Sequence, residues 1–209
     1  MTEVWVIGGG GHAKVVIATL EAAGRRVRGV FDDAPAKRGG FVLGVPVIGA
    51  VPDPAWWAAE ALPAFLALGG NALRRRAADR LHPAGGWATA IHPAATVHAS
   101  VTVEPGALVC AGAVIQPDVR IGAHAIINTA AVVEHDGDIG AFAHIAPRAG
   151  LAGGVTVGEG ALVGIGASVV PGRRLGAWCI VGAGAAVIRD LPDGMTAVGV
   201  PARPLSGSR

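Results

Sequence analysis

From Ala95 to Asp190 the chain falls into sixteen consecutive units of six residues, and the third residue of every unit is aliphatic. The series runs from Val97 and Val103 through Ile145 and Leu151 to Val181 and Val187, with no insertion shifting the frame. The first position of the unit is small in most cases, most often alanine, as expected where a chain turns a tight corner beside a buried aliphatic side chain. A helical period of 3.6 cannot sustain such a pattern. Inside it lies a second period: Gly122, Gly140, Gly158 and Gly176 recur once in every three units. Three units therefore make one coil of a triangular prism, each coil stacked on the last at about 4.8 Å with its backbone groups paired to its neighbours. Each inward aliphatic contributes about 1.5–3 kcal/mol when buried, so the column is a sufficient core.

The chain ahead of the repeat follows a different pattern. Val4–Ile7 reads as a strand, Gly8-Gly9-Gly10-Gly11 as a turn, His12 to about Ala23 as a helix and Val27–Phe31 as a second strand, with Asp32 and Asp33 just beyond it. Gly8, Gly10 and Ala13 satisfy the loose G-x-G-x-x-A form of a dinucleotide fingerprint, and an acidic residue follows about 20 positions on, where it could bind a ribose hydroxyl. The repeat starts at Ala95, which leaves too little chain for the second half of a doubly wound domain. A nucleotide site is therefore favoured over a full nicotinamide dinucleotide site, and a plain turn needing glycine for positive φ is the alternative. The expected organisation is a Rossmann-like α/β domain over residues 1–88, an all-β parallel β-helix over 89–192 and a C-terminal tail over 193–209.

Composition narrows the picture. Glycine numbers 33 and aromatic residues make up only 4% of the 209 residues, which suits small repetitive packing units better than a conventional core. The net charge of +2 is spread along the chain, and its only basic run, Arg74-Arg75-Arg76, is expected to be one solvated helix face, so no nucleic-acid footprint is indicated. Val4–Ile7 runs straight into the glycine turn without a basic n-region, and no stretch reads as a membrane span, so a cytoplasmic protein is expected. Two cysteines, Cys110 and Cys179, do not make a disulfide framework.

The chemistry-bearing pair is His135-Asp136, set within the repeat where most units carry small residues. An imidazole titrates near neutrality, and a carboxylate on its other nitrogen fixes the tautomer and raises its basicity, as a general base requires. Gly153 stands three units after His135, hence one coil higher on the same corner, where its N–H could act as an oxyanion donor. His144 is half a coil away from His135, so the two can share a site only across a subunit interface. Cys110 and Cys179 are not placed beside His135 in the repeat, and no covalent enzyme intermediate is expected. No pair among His98, His124, His135 and His144 is separated by a whole number of coils, as stacked metal ligands would be, and no metal is expected.

The hexad pattern resembles the hexapeptide-repeat acyltransferases, and the whole chain resembles their branch of sialic-acid O-acetyltransferase-like enzymes, which includes N-acetyltransferases of nucleotide-linked 4-amino-dideoxy sugars. The marks are the glycine run ending at His12, Asp32-Asp33, Gly44-Val45-Pro46-Val47-Ile48-Gly49, Ile91-His92-Pro93, Asn128 ahead of Glu134-His135-Asp136, and Gly199-Val200-Pro201-Ala202. The resemblance implies a left-handed β-helix, a homotrimer with acetyl-CoA in a groove between prisms, and acetylation of a nucleotide-linked amino sugar for surface glycan or glycoprotein precursors. It also implies that Gly10, Gly11, His12, Asp32 and Asp33 hold the nucleotide sugar. His144 and Asn128 are implied to serve the acetyl donor and the active-site pocket. Some members carry glutamate after the histidine, where this chain has the shorter Asp136. Acetylation of a sialic-acid-like hydroxyl is the alternative within the family, and a zinc enzyme of the γ-carbonic-anhydrase type the alternative outside it. A scaffold with a dead site is opposed by the intact His135-Asp136 pair.

Overall fold

The computed structural model describes residues 2–205; Met1 and the last four residues of the expected tail lie outside the described residues. The chain divides into two compact units between Pro93 and Ala94.

In the first unit apolar runs yield strand β1 (Glu3–Ile7) and strand β2 (Arg26–Phe31), with helix α1 (Gly11–Ala22) between them, each within one residue of the sequence expectation. A hairpin of β3 (Phe41–Val42) and β4 (Val45–Gly49), the short helix α2 (Pro54–Ala59), strand β5 (Ala64–Leu66) and helix α3 (Asn71–Arg80) follow. The strand order is β3-β4-β2-β1-β5, parallel except for the edge strand β3. From β1 the chain moves outward through β2 and β4, then returns to place β5 on the other side. The reversal makes a crevice at the carboxyl ends of β1 and β5, where open parallel sheets bind ligands. Val4, Val6 and Ile7 are closed off from solvent, as expected of a central parallel strand.

The second unit is the triangular prism. Two-residue strands fall at the second and third positions of every hexad, and each pairs in parallel with the strands three hexads before and after it. One face stacks Thr96–Val97, Val114–Ile115, Val132–Val133, Gly150–Leu151, Ser168–Val169 and Ala186–Val187. The second stacks Thr102–Val103, Arg120–Ile121, Asp138–Ile139, Thr156–Val157 and Arg174–Leu175. The third includes Leu108–Val109, Ile126–Ile127, His144–Ile145, Leu162–Val163 and Ile180–Val181. Thr196–Val198 and an antiparallel Arg203–Pro204 extend this face, so residues of the expected tail add strands to the prism.

Positions one and three of nearly every hexad point inward, since alternate residues of a strand share a face; Arg173, at a first position, is the exception and pairs with Asp190. Ala125 and Ile127, Ala143 and Ile145, and Ala161 and Val163 are fully buried in the resulting column. The corner itself lies at positions five and six. From Gly106 to Gly184 every sixth residue has positive φ, including the non-glycine residues His124, Asp136, Phe142 and Trp178. The glycines of the second period answer a different need, close stacking: a Cβ on Gly122 would come within 2.6 Å of the Ala141 amide nitrogen, and one on Gly140 within 2.7 Å of that of Glu159.

Candidate active site

His135 and Asp136 occupy the corner between strands Val132–Val133 and Asp138–Ile139, the vertex where the first and second faces meet. Asp136 has φ 59°, a conformation that aspartate tolerates better than most residues. His135 Nδ1 donates to Asp136 Oδ2 at 2.8 Å, so the short aspartate does reach the ring. With that proton on Nδ1, the Nε2 lone pair is the one available for chemistry. The hydrogen bond that His135 donates to Asp136, opposed by desolvation and reinforced by the charges of Asp136 and Glu134, holds the His135 pKa above its ordinary value. Both side chains are well exposed, so this pair adds little stability.

Gly153 lies one coil on at the same corner, and the His135 ring rests over it: a Cβ there would come within 2.6 Å of His135 Cε1 and Nε2. The next amide, Gly154 N–H, donates to His135 O at 2.8 Å and ties the two coils together.

His144 sits on the third face, opposite the vertex that carries His135. Within one prism the two cannot meet. The structure does bring His144 to Asn128: Asn128 Nδ2 lies 3.0 Å from His144 Nε2. Thr129 N–H donates to Asn128 Oδ1 at 2.8 Å, which fixes the amide orientation. Nδ2 therefore donates, Nε2 of His144 accepts, and Nδ1 of a neutral His144 carries the proton.

In the α/β unit, Asp32 stands at the end of β2 and reaches back to the glycine turn. Its carboxylate accepts from Gly9 N–H at 2.6 Å, Ala34 N–H at 2.9 Å and Lys37 Nζ at 2.8 Å. Burial pushes the Asp32 pKa up, but the hydrogen bonds from Lys37, Ala34 and Gly9 outweigh it and hold the carboxyl below its ordinary range. Asp33 accepts from Val51 N–H at 2.9 Å. Of the four consecutive glycines only Gly8 has positive φ, at 99°, and a Cβ there would strike Leu68. Gly10 and Gly11, at the start of α1, face open space. His12 is half-buried, and burial followed by the nearby Arg74 charge keeps its pKa below the ordinary value, so the ring is neutral near pH 7.

A cleft of about 410 Å³ opens here, lined among others by Gly8, Asp32, Asp33, Leu68, Arg76 and Arg80. Its volume is in the range of small-molecule sites. Gly10, Gly11 and His12 are not among its lining residues, whereas Arg76, expected only on a solvated helix face, and Arg80, not expected at a site, are. Their spacing of four along α3 puts them on one helix face, a signal legible once the helix is placed.

The basic run is not one solvated face. Arg74 is only 1% exposed, with its guanidinium donating to Leu68 O, Gly69 O and Asn71 Oδ1, because its position on α3 faces the sheet; Arg75 pairs with Asp79 on the outer side.

Both cysteines are buried, and burial pushes their thiols up, to about 12 for Cys110 and about 11 for Cys179, where the Asp193 charge adds to the effect. Neither is an activated nucleophile. His98 Nδ1 is engaged with Ser100 in its own turn, and His124 stacks on Phe142 with ring centroids 5.1 Å apart. Among the described residues no group of three or more histidine, cysteine, aspartate or glutamate side chains is placed to hold a metal ion. Among them, too, no helix is long and apolar enough to cross a membrane.

A Rossmann-like α/β unit joined to a hexad prism with a histidine–aspartate corner defines a class: the chain belongs to the hexapeptide-repeat sugar acetyltransferases, built on a left-handed parallel β-helix. Residues 3–81 match the family described as PglD N-terminal domain. The chain is similar to an asparagine-for-histidine variant of perosamine N-acetyltransferase from Caulobacter crescentus, solved in complex with CoA and GDP-perosamine. Identity is 44%, 99% of this chain and 98% of the other are covered, and the TM-score is 0.90. It is similar also to the acetyltransferase domain of PglB from Neisseria gonorrhoeae FA1090 in complex with acetyl coenzyme A, at 36% identity, coverage of 97% and 98%, and a TM-score of 0.88. An uncharacterized protein, L142, of Acanthamoeba polyphaga mimivirus is 32% identical over 57% of this chain; the chain spans 23% of that curated relative's length.

Proposed function

We propose that this protein transfers the acetyl group of acetyl-CoA to the 4-amino group of a nucleotide-linked amino-dideoxy sugar, with His135 as general base. The observation that carries this reading is the His135 Nδ1–Asp136 Oδ2 hydrogen bond of 2.8 Å on an exposed corner, which leaves Nε2 as a basic lone pair. The amine attacks the thioester carbonyl carbon. His135 Nε2 takes the amine proton as the C–N bond forms, Gly153 N–H donates to the tetrahedral oxyanion, and collapse breaks the C–S bond. The departing CoA sulfur receives the proton from the imidazolium, returning the base for the next turnover. Inert cysteines support direct transfer.

The nucleotide sugar is assigned to the α/β domain of residues 1–88 and the transfer chemistry to the β-helix of residues 89–192. Gly10 and Gly11 offer unobstructed backbone, Asp32 and His12 brace the turn, Asp33 faces the cleft, and Arg76 and Arg80 supply positive charge suited to a diphosphate. The CoA and GDP-perosamine bound by the Caulobacter enzyme support these two ligand classes.

A homotrimer completes the site. His135 projects from the vertex between the first and second faces, while Asn128 and His144 lie on the third. A heterologous contact that sets the vertex of one prism against the third face of the next closes after three copies. The outward positions of that third face include Leu162 and Ile180, the latter 43% exposed, which suits an interface. Acetyl-CoA is a cytoplasmic metabolite, and we place the enzyme there.

The deciding experiment offers GDP-, UDP- and dTDP-linked 4-amino sugars and free sialic acids with acetyl-CoA, follows thiol release and locates the new acetyl group. Turnover of a nucleotide-linked amine is expected. Turnover of a sialic acid alone would make this an O-acetyltransferase, and none with any acceptor would refute the reading. Mixed trimers of His135→Ala and His144→Ala chains should recover activity absent from either alone; confirmed mixed trimers without recovery would refute the shared site.

A further inference from the structure

We propose that Arg74 is a positioning residue for the acceptor: its buried guanidinium holds the link between β5 and α3, and through that link fixes the shape of the nucleotide cleft beside the glycine turn. This rests on the reading of that cleft as the nucleotide-sugar site.

Arg74 is 1% exposed on a helix whose other two arginines of the run reach outward. Its Nη1 donates to Leu68 O at 2.8 Å and Gly69 O at 3.4 Å, and its Nη2 to Asn71 Oδ1 at 3.1 Å. Two of these acceptors are carbonyls of the link itself, which lies outside strand and helix and needs side-chain donors to satisfy them. Both tied link residues touch the ligand machinery. Leu68 lines the cleft and packs so tightly on Gly8 that a Cβ there would come within 2.7 Å of Leu68 Cδ2. Gly69 backs onto His12, where an added Cβ would sit in ordinary contact, 3.7 Å from His12 Cβ. One planar fork thus sets both the wall of the cleft and the floor beneath the first turn of α1.

Burial pushes the Arg74 pKa down to about 10, so the protein sustains a desolvation penalty to keep the cation there. An apolar side chain of similar volume would fill the space without that penalty. What it could not do is hold two adjacent carbonyls in a fixed geometry. Lysine keeps the charge but lacks the fork, and should hold the link only in part.

The test uses the full-length enzyme and the variants Arg74→Met and Arg74→Lys. It measures kcat and KM for acetyl-CoA and for the nucleotide-linked 4-amino sugar that turns over best, with calorimetric titration of GDP, UDP and dTDP. Arg74→Met should raise KM for the nucleotide sugar tenfold or more and weaken binding of the matching nucleotide in parallel. The acetyl-CoA KM and kcat should stay within twofold, and Arg74→Lys should fall between wild type and Met. A folded Arg74→Met with unchanged nucleotide-sugar KM overturns the proposal, as does a loss shared equally between kcat and the acetyl-CoA KM. If Arg74→Met does not fold, Arg74→Lys decides by the same split. Asp32→Asn, measured alongside, separates the two ideas. If neither variant moves the nucleotide-sugar KM, the cleft assignment fails; if Asp32→Asn raises it and Arg74→Met does not, only the positioning role fails.

Discussion

The two units build their sites by opposite means. In the α/β unit two charged groups turn inward: Asp32 is consumed by Gly9, Ala34 and Lys37, and Arg74 by Leu68, Gly69 and Asn71, so backbone shape with Asp33, Arg76 and Arg80 at the cleft is what remains to meet a ligand. In the prism the frame is apolar and self-sufficient, and the side chains proposed to react hang on its outside, His135 and Asp136 on a corner and His144 on a face. Substitutions in the first should therefore change how well the acceptor binds, and those in the second how fast the reaction runs.

The sharpest test of that division is His135→Ala, which removes the base and leaves the frame untouched. Its kcat should fall by about 10²–10⁴, with the acetyl-CoA KM little changed; near-native kcat at neutral pH would mean the base lies elsewhere. Gly153→Ala comes next. The added methyl occupies the space of the His135 ring, and a displacement of about 1 Å can cost roughly 10²-fold, so kcat should drop while thermal unfolding barely moves. A large loss of stability with kcat preserved per folded molecule would show that Gly153 serves stacking and not the base.

Asp32→Ala probes the other unit. Freeing the glycine turn should raise KM for the nucleotide sugar about tenfold or more, an expectation based on losing charge-assisted bonds of about 1.5–3 kcal/mol each, and leave the acetyl-CoA KM alone. A raised acetyl-CoA KM instead would reverse the assignment of the two units. Asp136→Asn should have a smaller effect on kcat than His135→Ala, and it carries a sign. Asp136 raises the His135 pKa, so its neutralisation lets the imidazole stay deprotonated to lower pH, and the acid limb of the kcat–pH profile should move down. An upward or absent shift would disconnect the pair. Smallest of all should be replacement of both cysteines by alanine, which leaves most activity; a folded but inactive protein would require an acetyl-enzyme.

The same contrast explains what could be read in advance. In the prism a contact between coils is a matter of counting units, so the meeting of His135 with Gly153 and the separation of His144 from His135 were legible in the spacing. The left-handed conformation at the sixth position was signalled too, by glycine at Gly106, Gly112, Gly154 and Gly160, but it was hidden where His124, Asp136 and Phe142 take it. The α/β unit offers no such arithmetic. Its strands and glycine turn followed from local pattern, but the inward rotation of Arg74 and the approach of Arg76 and Arg80 to the cleft depend on how α3 lies on the sheet. Three consecutive arginines look alike in a sequence; on a helix they point about 100° apart, and only packing decides which one is swallowed.

The close stacking at Gly122, Gly140 and Gly158 has a consequence for how such a chain can change its length. Because one such position in every coil must be bare for the next coil to settle on it, the heritable unit is the full coil of three hexads, not the single hexad. A duplication of one such block would lengthen the column by a storey and keep each residue's compass bearing. Inserting a lone hexad would preserve the hydrophobic lining yet swing everything beyond it by a third of a circle, carrying His144 away from the side it shares with Asn128.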